Sequence, residues 1–369
     1  MTRWRPKTVT QLRSAIRKLL RLLQGSDLEA QVRAALRRDQ DYATPGKPPC
    51  DWDDPAARDA LVDVLVRDAR AALDAFDGAR LAGALAEAVE LLALVAGQDV
   101  EETDDGTFQI AKKVAKDRVI STVDPEARHG HKSPNRHFDG YKTHLSIDPD
   151  SELIDEVAAT AGNVADREAV DELLAPVADL EDKPEVFGDS AYADGDTLER
   201  LEGQGFEVVA KVPPAANRGG RFSKDDFTIN LDDHTVTCPA GQTVTIRTRD
   251  DGGGVASFGK HCVSCPLAER CTTNTAGRTI AIHRHEAVLQ RHKADQQSLE
   301  WQQSYTGTRP MVERKIGHYA SVLWGGRQAR TRGLRRVLTD TVTRAAAVNF
   351  ARLDVLGVCR DDAGWARGP

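Results

Sequence analysis

Hydrophobic positions recur at helical spacing through the first hundred residues. Leu12, Ile16, Leu19, Leu20 and Leu23 fall on one face of a helix, and Leu61, Leu65 and Ala69 on one face of another. Between them, the prolines of "DYATPGKPPCDWDDP" deny backbone donors and its Gly and Asp residues favour turns, so the pattern predicts two helical pairs over residues 9–97. The period then shortens to two. "TFQIAKKVAKDRVISTVDP" and "YKTHLSIDPDSELIDEVAAT" contain short β-branched runs with alternation, and "DPDSE" reads as a hairpin-type turn. Asn163 and Asp166 are N-cap candidates for a helix over "REAVDELLAPVADL", and "PEVFGDS" reads as a strand of about five residues. A helix over 195–203 and a strand in "GFEVVAKV" complete a β-β-α-β-α-β succession, which suits an α/β layer. Residues 213–283 are polar, Gly-rich and strand-like. Helices are expected again over 284–304, 310–324 and 333–354, with Pro310 at a first helical position, where its missing N–H costs nothing.

With 369 residues, 40% of them hydrophobic, the chain can fill one large core or two modest ones. Its net charge of −7 hides a segregation: residues 301–350 hold nine Lys/Arg against two acids, Glu313 and Asp340. The most apolar stretch, "LAGALAEAVELLALVAG", contains Glu87 and Glu90 and is shorter than the roughly 20 apolar residues of a bilayer span, so no membrane partner is expected. The N-terminus has no apolar core followed by a cleavage site, and the expected location is cytoplasmic. Of the six cysteines, Cys238, Cys262, Cys265 and Cys271 share one window. In a reducing compartment such a window reads as metal ligands before disulfides: four thiolates can close a structural Zn²⁺ site, the alternatives being unligated thiols or a part for His261.

Asp189 ends the apolar run Val186-Phe187-Gly188, at the carboxyl edge where open α/β sheets place ligands, although a strand-ending Asp also simply caps a turn. Gly188 before it and Ser190-Ala191 after it leave room for a ligand. Glu313 falls just past the expected helix start, flanking a stripe of Val312, Ile316, Tyr319 and Leu323; alone, it would only complement the helix dipole. Together, two such acids beside a run of arginines suit Mg²⁺- or Mn²⁺-dependent phosphodiester chemistry, because hard oxygen donors hold these ions and arginines contact phosphate. A third carboxylate is normally needed. Lys142 and His144 lie on one face of a strand. His129, His131, His283, His285 and His292 read as solvated or phosphate-adjacent histidines.

"STVDPEARHGHKS", "FDGYKTHLSIDPDSELI", "TAGNVADREA", "GDSAYAD", the cysteine window and "RPMVERKIGHY" followed by "RQARTRGL" together resemble the DDE transposases of bacterial insertion sequences, specifically the IS1182-like branch of the IS4/IS5 superfamily. The resemblance spans about residues 8–354, and it is the order of the motifs that is specific. It implies an RNase H-like α/β core in which two aspartates and a glutamate bind two Mg²⁺ ions and cut and join double-stranded DNA at element ends and targets, with a homodimer assembling on nucleoid DNA. Asp189 matches the second aspartate and Glu313 the glutamate. Arg309 and Lys315 match basic positions around that glutamate, and Arg314, Lys142, Arg327, Arg330 and Arg332 are the further expected DNA contacts. The cysteine window resembles a β-rich insertion. The Y-R-E-K signature is met in part: Tyr305 precedes Arg309 by four residues instead of three, and Ala320 stands where a lysine is expected.

The family's first aspartate lies in a D-S-T-type motif ahead of a segment like "KTVTQLRSAIRKLL", which here begins at Lys7, and "MTRWRP" contains no acid. The expectation is therefore an N-terminally truncated transposase without the first core strand and first catalytic aspartate, destabilised by backbone groups left unpaired on the neighbouring strands. Asp124 in "STVDPEAR" is the stand-in candidate, since it is also expected to follow a strand. The expected organisation is a helical segment over 1–100, the RNase H-like core over 101–212, the β-rich insertion over 213–283 and core-completing helices over 284–358. The competing readings are a non-catalytic DNA-binding remnant and a stand-alone Mg²⁺ nuclease using Asp124.

Overall fold

The computed structural model describes residues 6–37, 42–111, 115–133, 135–217, 219–361 and 364–367. In chain order the helices are α1 (Pro6–Leu22), α2 (Asp27–Ala35), α3 (Pro55–Asp74), α4 (Gly83–Gly97), α5 (Val170–Leu174), α6 (Gly195–Gly203), α7 (Ala268–Cys271), α8 (Glu286–Asp295), α9 (Leu299–Tyr319) and α10 (Leu334–Val355). The strands are β1 (Val100–Glu102), β2 (Phe108–Ile110), β3 (Arg128–Ser133), β4 (Arg136–Ile147), β5 (Ile154–Ala161), β6 (Val186–Gly188), β7 (Val208–Ala210), β8 (Thr228–Asn230), β9 (Thr235–Thr237), β10 (Thr243–Thr248), β11 (Gly254–Ser257), β12 (Thr279–Ile282), β13 (Val358–Asp361) and β14 (Gly364–Arg367). Among the described residues no helix is long and apolar enough to cross a membrane.

The chain divides into two discontinuous units, one of Met1–Thr143, Ala159–Val164 and Gln328–Thr343, the other of His144–Ala158, Ala165–Arg327 and Arg344–Pro369. The core of the first is helical. Val9, Leu12, Ile16 and Leu19 of α1 are fully buried with Leu65 and Val66 of α3 and Leu92 and Val95 of α4, each such side chain contributing about 1.5–3 kcal/mol. The proline-rich break lies between α2 and α3, as its composition predicts. Asp54 then caps α3, accepting from Ala56 N at 3.0 Å and Ala57 N at 3.3 Å, with Pro55 opening the helix. The period-two region is less regular than expected: β1 and β2 form a short antiparallel hairpin, and residues 115–127 carry no strand. Asp124 therefore sits in a bend, not at a strand end. From β3 onward the alternation is realised, with β3 antiparallel to β4 and β5 on the other side of β4.

In the second unit, Asp148 folds the "DPDSE" turn by accepting from Asp150 N at 3.2 Å and Ser151 N at 3.1 Å. The expected helix over "REAVDELLAPVADL" is broken into a 3₁₀ turn at Asp166–Ala169, α5 and a second 3₁₀ turn at Ala175–Val177 that contains Pro176. Its N-cap is Ala165, without a side-chain bond; Asn163 instead donates to Asp117 at 2.8 Å in the other unit's own fold. β6 and β7 pair in parallel, Val186 opposite Val208 and Gly188 opposite Ala210, joined by α6 as a crossover. Leu198 and Leu201 of α6 close a core with Phe206, Val208, Ala210 and Val288. Residues 228–282 form a five-stranded sheet in the order β12-β11-β10-β9-β8, with its own core around Phe227, Val236, Phe258 and Ile280.

Candidate active site

The carboxylate that the sequence places at a strand end is where the pattern puts it. Asp189 directly follows β6 and is half-buried; its Oδ1 accepts from Ala191 N at 2.8 Å, and Tyr192 N donates to its carbonyl at 3.1 Å. This is an Asx turn, so the capping reading of Asp189 is physically realised and occupies one lone pair of one oxygen. A Cβ at Gly188 would lie 3.4 Å from both Ala210 Cβ and Tyr192 Cβ, at ordinary van der Waals contact. Tyr192 is mostly buried, its hydroxyl 3.2 Å from His144 Nδ1, and burial, reinforced by the negative charges of Asp166 and Asp189, pushes its phenol far above the ordinary range. Asp166 thus shares Tyr192 with Asp189, a neighbour that sequence spacing did not reveal.

Glu313 is differently placed from the expectation. α9 starts at Leu299, capped by Ser298 Oγ, which accepts from Trp301 N at 3.2 Å, and it runs through Pro310. The proline removes one N–H, but Pro310 and Thr306 are both exposed, so the freed Thr306 carbonyl faces water. Glu313 lies deep in the helix, too far from its start to act on the dipole. It is 66% exposed and accepts from Arg309 Nη2 at 2.8 Å. The expected apolar stripe is also revised: Ile316 is 42% and Leu323 82% exposed, whereas Lys315 and Tyr319 are buried.

A row of side chains four residues apart runs along α9. Trp301 stacks on Tyr305 with ring centroids 4.7 Å apart and 12° between planes, the Arg309 guanidinium lies 6.0 Å from the Tyr305 ring, and Arg309 holds Glu313. Four residues apart, Tyr305 and Arg309 share one helix face. The Tyr305 phenol is pushed up, first by burial and then by the negative charges of Asp189 and Glu313, with Arg309 opposing. What ties the strand end to the helix is the packing of α9 against β6.

The expected DNA-contacting cations divide by exposure. Arg327, Arg330 and Arg332 are exposed, as are Arg335 and Arg336, and Arg330 pairs with Asp340. Arg314 is 63% exposed and donates to Glu152 at 2.7 Å. Arg309 is committed to Glu313, and Lys142 donates to the Val164 carbonyl at 2.8 Å. Lys315 is only 3% exposed, and burial lowers its pKa against the pull of Glu152, so it is not presented to a phosphate. Arg344 is likewise buried, donating to the Gly326 carbonyl at 2.8 Å.

Asp124 belongs to another arrangement. Its Oδ1 accepts from Tyr141 Oη at 2.6 Å and Gly333 N at 3.1 Å, and Glu126 Oε2 accepts from Leu334 N at 2.5 Å. Two carboxylates thereby satisfy the open N–H groups at the start of α10. Cys238, Cys262, Cys265 and Cys271, with His261, line one small cavity beside Phe227 and Phe258. Burial first, and then the neighbouring thiols, push the Cys271 thiol up. Among the described residues, however, the one set of three His, Cys, Asp or Glu donors lying within 4.8 Å of one another is His129, His131 and His137, so the zinc expectation gains no support from this cavity.

Two models, each described as a transposase DDE domain, match the chain, one over residues 101–222 and the other over residues 237–354. The first contains Asp189 and the second Glu313. Both support a DDE transposase. Enzymes of that family act on DNA and generally use divalent metals such as Mg²⁺. No curated protein and no solved structure matches significantly.

Proposed function

We propose that this transposase domain cuts and joins DNA at insertion-sequence ends with Asp189 and Glu313 as metal-binding carboxylates, in the manner of the IS1182-like branch. The observation that carries the proposal is that α9, which holds Glu313, packs against β6, which leads into Asp189, each acid lying within a matched transposase DDE domain. The donor set fits the ion in kind. Both groups are hard oxygen donors, neither is fully buried, and Asp189 has one oxygen outside its Asx turn. Bound Mg²⁺ would supply charge stabilisation for attacking and leaving oxygens in an in-line displacement. The chain's own residues hold the parts in place: the Asx turn fixes Asp189 and Arg309 restrains Glu313.

The RNase H-like reading rests on the resemblance in sequence, together with a parallel β6-α6-β7 crossover in which β6 leads into Asp189. A homodimer on double-stranded DNA, engaged by the exposed Arg327, Arg330 and Arg332, completes the proposal. The alternative that Asp124 replaces the first aspartate is disfavoured because Asp124 ties β4 to the start of α10 through Tyr141 Oη and Gly333 N, bonds that a metal would strain, whereas the bond of Asp189 is local to its own turn.

The test is DNA cleavage during Mg²⁺ and Mn²⁺ titration, comparing the wild-type chain with an Asp189→Asn/Glu313→Gln double variant. Cleavage by the wild type alone supports the proposal. Salt-sensitive DNA binding with no cleavage by either would replace it with the DNA-binding remnant.

A further inference from the structure

We infer that the β3–β4 hairpin carries a binding site for a divalent transition-metal ion of the zinc class, formed by His129, His131 and His137. The register of the ladder sets the residues together. His131 is directly opposite His137, and His129 is directly opposite Asp139. Alternation along a strand then places all four on one face. The opposite face is packed: a Cβ on Gly130, between the two β3 histidines, would lie 2.3 Å from the Phe138 ring and 2.5 Å from the Gly162 carbonyl. The histidine face is the solvent face, and all three histidines are exposed.

The ligand atoms of the three rings lie within 4.8 Å of one another. Ring centroids are 5.1 Å apart for His129 and His131, 4.6 Å for His131 and His137, and 5.5 Å for His129 and His137. Nδ1 of His131 and Nδ1 of His137 approach to 2.6 Å, a separation at which two bare lone pairs repel unless a proton or a cation lies between them. Two imidazoles on one tetrahedral ion, each at about 2.0–2.1 Å, hold their nitrogens roughly 3.3 Å apart, so ligation requires a small opening of this pair. Exposed rings on a fixed ladder can make that movement.

His129 has the outer partner that a ligand imidazole usually has. Its Nδ1 lies 2.7 Å from Asp139 Oδ1, which leaves Nε2 as the coordinating atom, and Lys7 Nζ lies 3.6 Å from the other Asp139 oxygen. A carboxylate that orients an imidazole in this way is the usual outer partner of a metal-bound histidine. Three imidazoles select Zn²⁺, Cu²⁺, Ni²⁺ or Co²⁺ over Mg²⁺, which prefers oxygen donors. The exposure of the rings leaves the fourth position open to water or another small donor.

Co²⁺ titration of the full chain, with any affinity tag removed, tests the inference. Imidazole-bound Co²⁺ in a four-coordinate site gives visible d–d absorption without the sulfur-to-cobalt charge-transfer bands that the cysteine window would produce, and Zn²⁺ should displace it. We expect that component at one ion per chain. His131→Asn and His137→Asn should each weaken it by at least about tenfold, Asp139→Asn by a comparable factor without abolishing it, and His234→Asn, at an exposed turn position with φ of 51°, should leave it unchanged. A wild-type spectrum without this component, or one unaltered by His131→Asn and His137→Asn in chains whose circular dichroism is unchanged, would overturn the inference.

Discussion

Asp124 and Asp189 are alike in sequence, each expected to end a strand, yet the two regions use them oppositely. Asp124 brings together a tyrosine hydroxyl and a helix N-terminus, each on the same oxygen. Asp189 spends one oxygen on a local turn and shares its charge with two phenols. A carboxylate whose lone pairs are engaged by buried or semi-buried donors stabilises the fold, and taking it for a metal would cost those bonds. One whose bond lies within its own turn, as that of Asp189 to Ala191 N does, can turn toward an ion at less cost to the fold.

The comparison is broken most directly by activity. Asp189→Asn is expected to lower Mg²⁺-dependent DNA cleavage by about a hundredfold or more, whereas Asp124→Asn should leave most of it. Equal losses in a cleavage time course would erase the distinction. Stability should show the reverse order: in urea unfolding, Asp124→Ala should cost about 2–3 kcal/mol by orphaning the Tyr141 hydroxyl and the Gly333 N–H, and Asp189→Ala about 1 kcal/mol or less. Tyr141→Phe, which removes one donor and leaves the cap, should cost about 1 kcal/mol.

Alkaline titration sharpens the same contrast. Burial first, with Asp124 next, raises the Tyr141 phenol, and burial with Asp166 and Asp189 raises that of Tyr192. A raised folded-state pKa means that the native chain holds these protons after unfolded tyrosines, at about pH 10, have begun to lose them. Their contribution is complete below that pH, and stability should fall as pH rises above it. Phenolate absorbance and unfolding midpoints measured together from pH 9 upward check this, and Asp124→Asn should ease ionisation of Tyr141 alone. The smallest effect belongs to Arg309→Gln, which removes an exposed ion pair worth about 0.5 kcal/mol or less. It should leave the urea midpoint nearly unmoved.

Local chemistry was legible in the sequence, and distant pairing was not. The run Val186-Phe187-Gly188 ending at Asp189 marks β6, although the strand is shorter than its flanks suggested. Asp194, which caps α6 by accepting from Thr197 N at 3.2 Å, and the Gly203-Gln204-Gly205 stop make the span 195–203 readable from composition alone. Pro310 misled because a proline is compatible with a helix interior when its freed carbonyl meets water, a condition of exposure that no local rule contains. Asp124 caps residues 209 positions away, and the units exchange segments of the chain, so neither follows from periodicity. His137 was missed since its neighbours depend on strand register, which the turn between β3 and β4 sets.

The four-residue row on α9 spans about 18 Å of helix, from an indole at one end to a carboxylate at the other. Trp301 is thereby an optical gauge of events at Glu313. In a chain where it is the sole survivor of five tryptophans, a cation drawing Glu313 away from Arg309 would shift the guanidinium over Tyr305 and change the emission of the stacked indole.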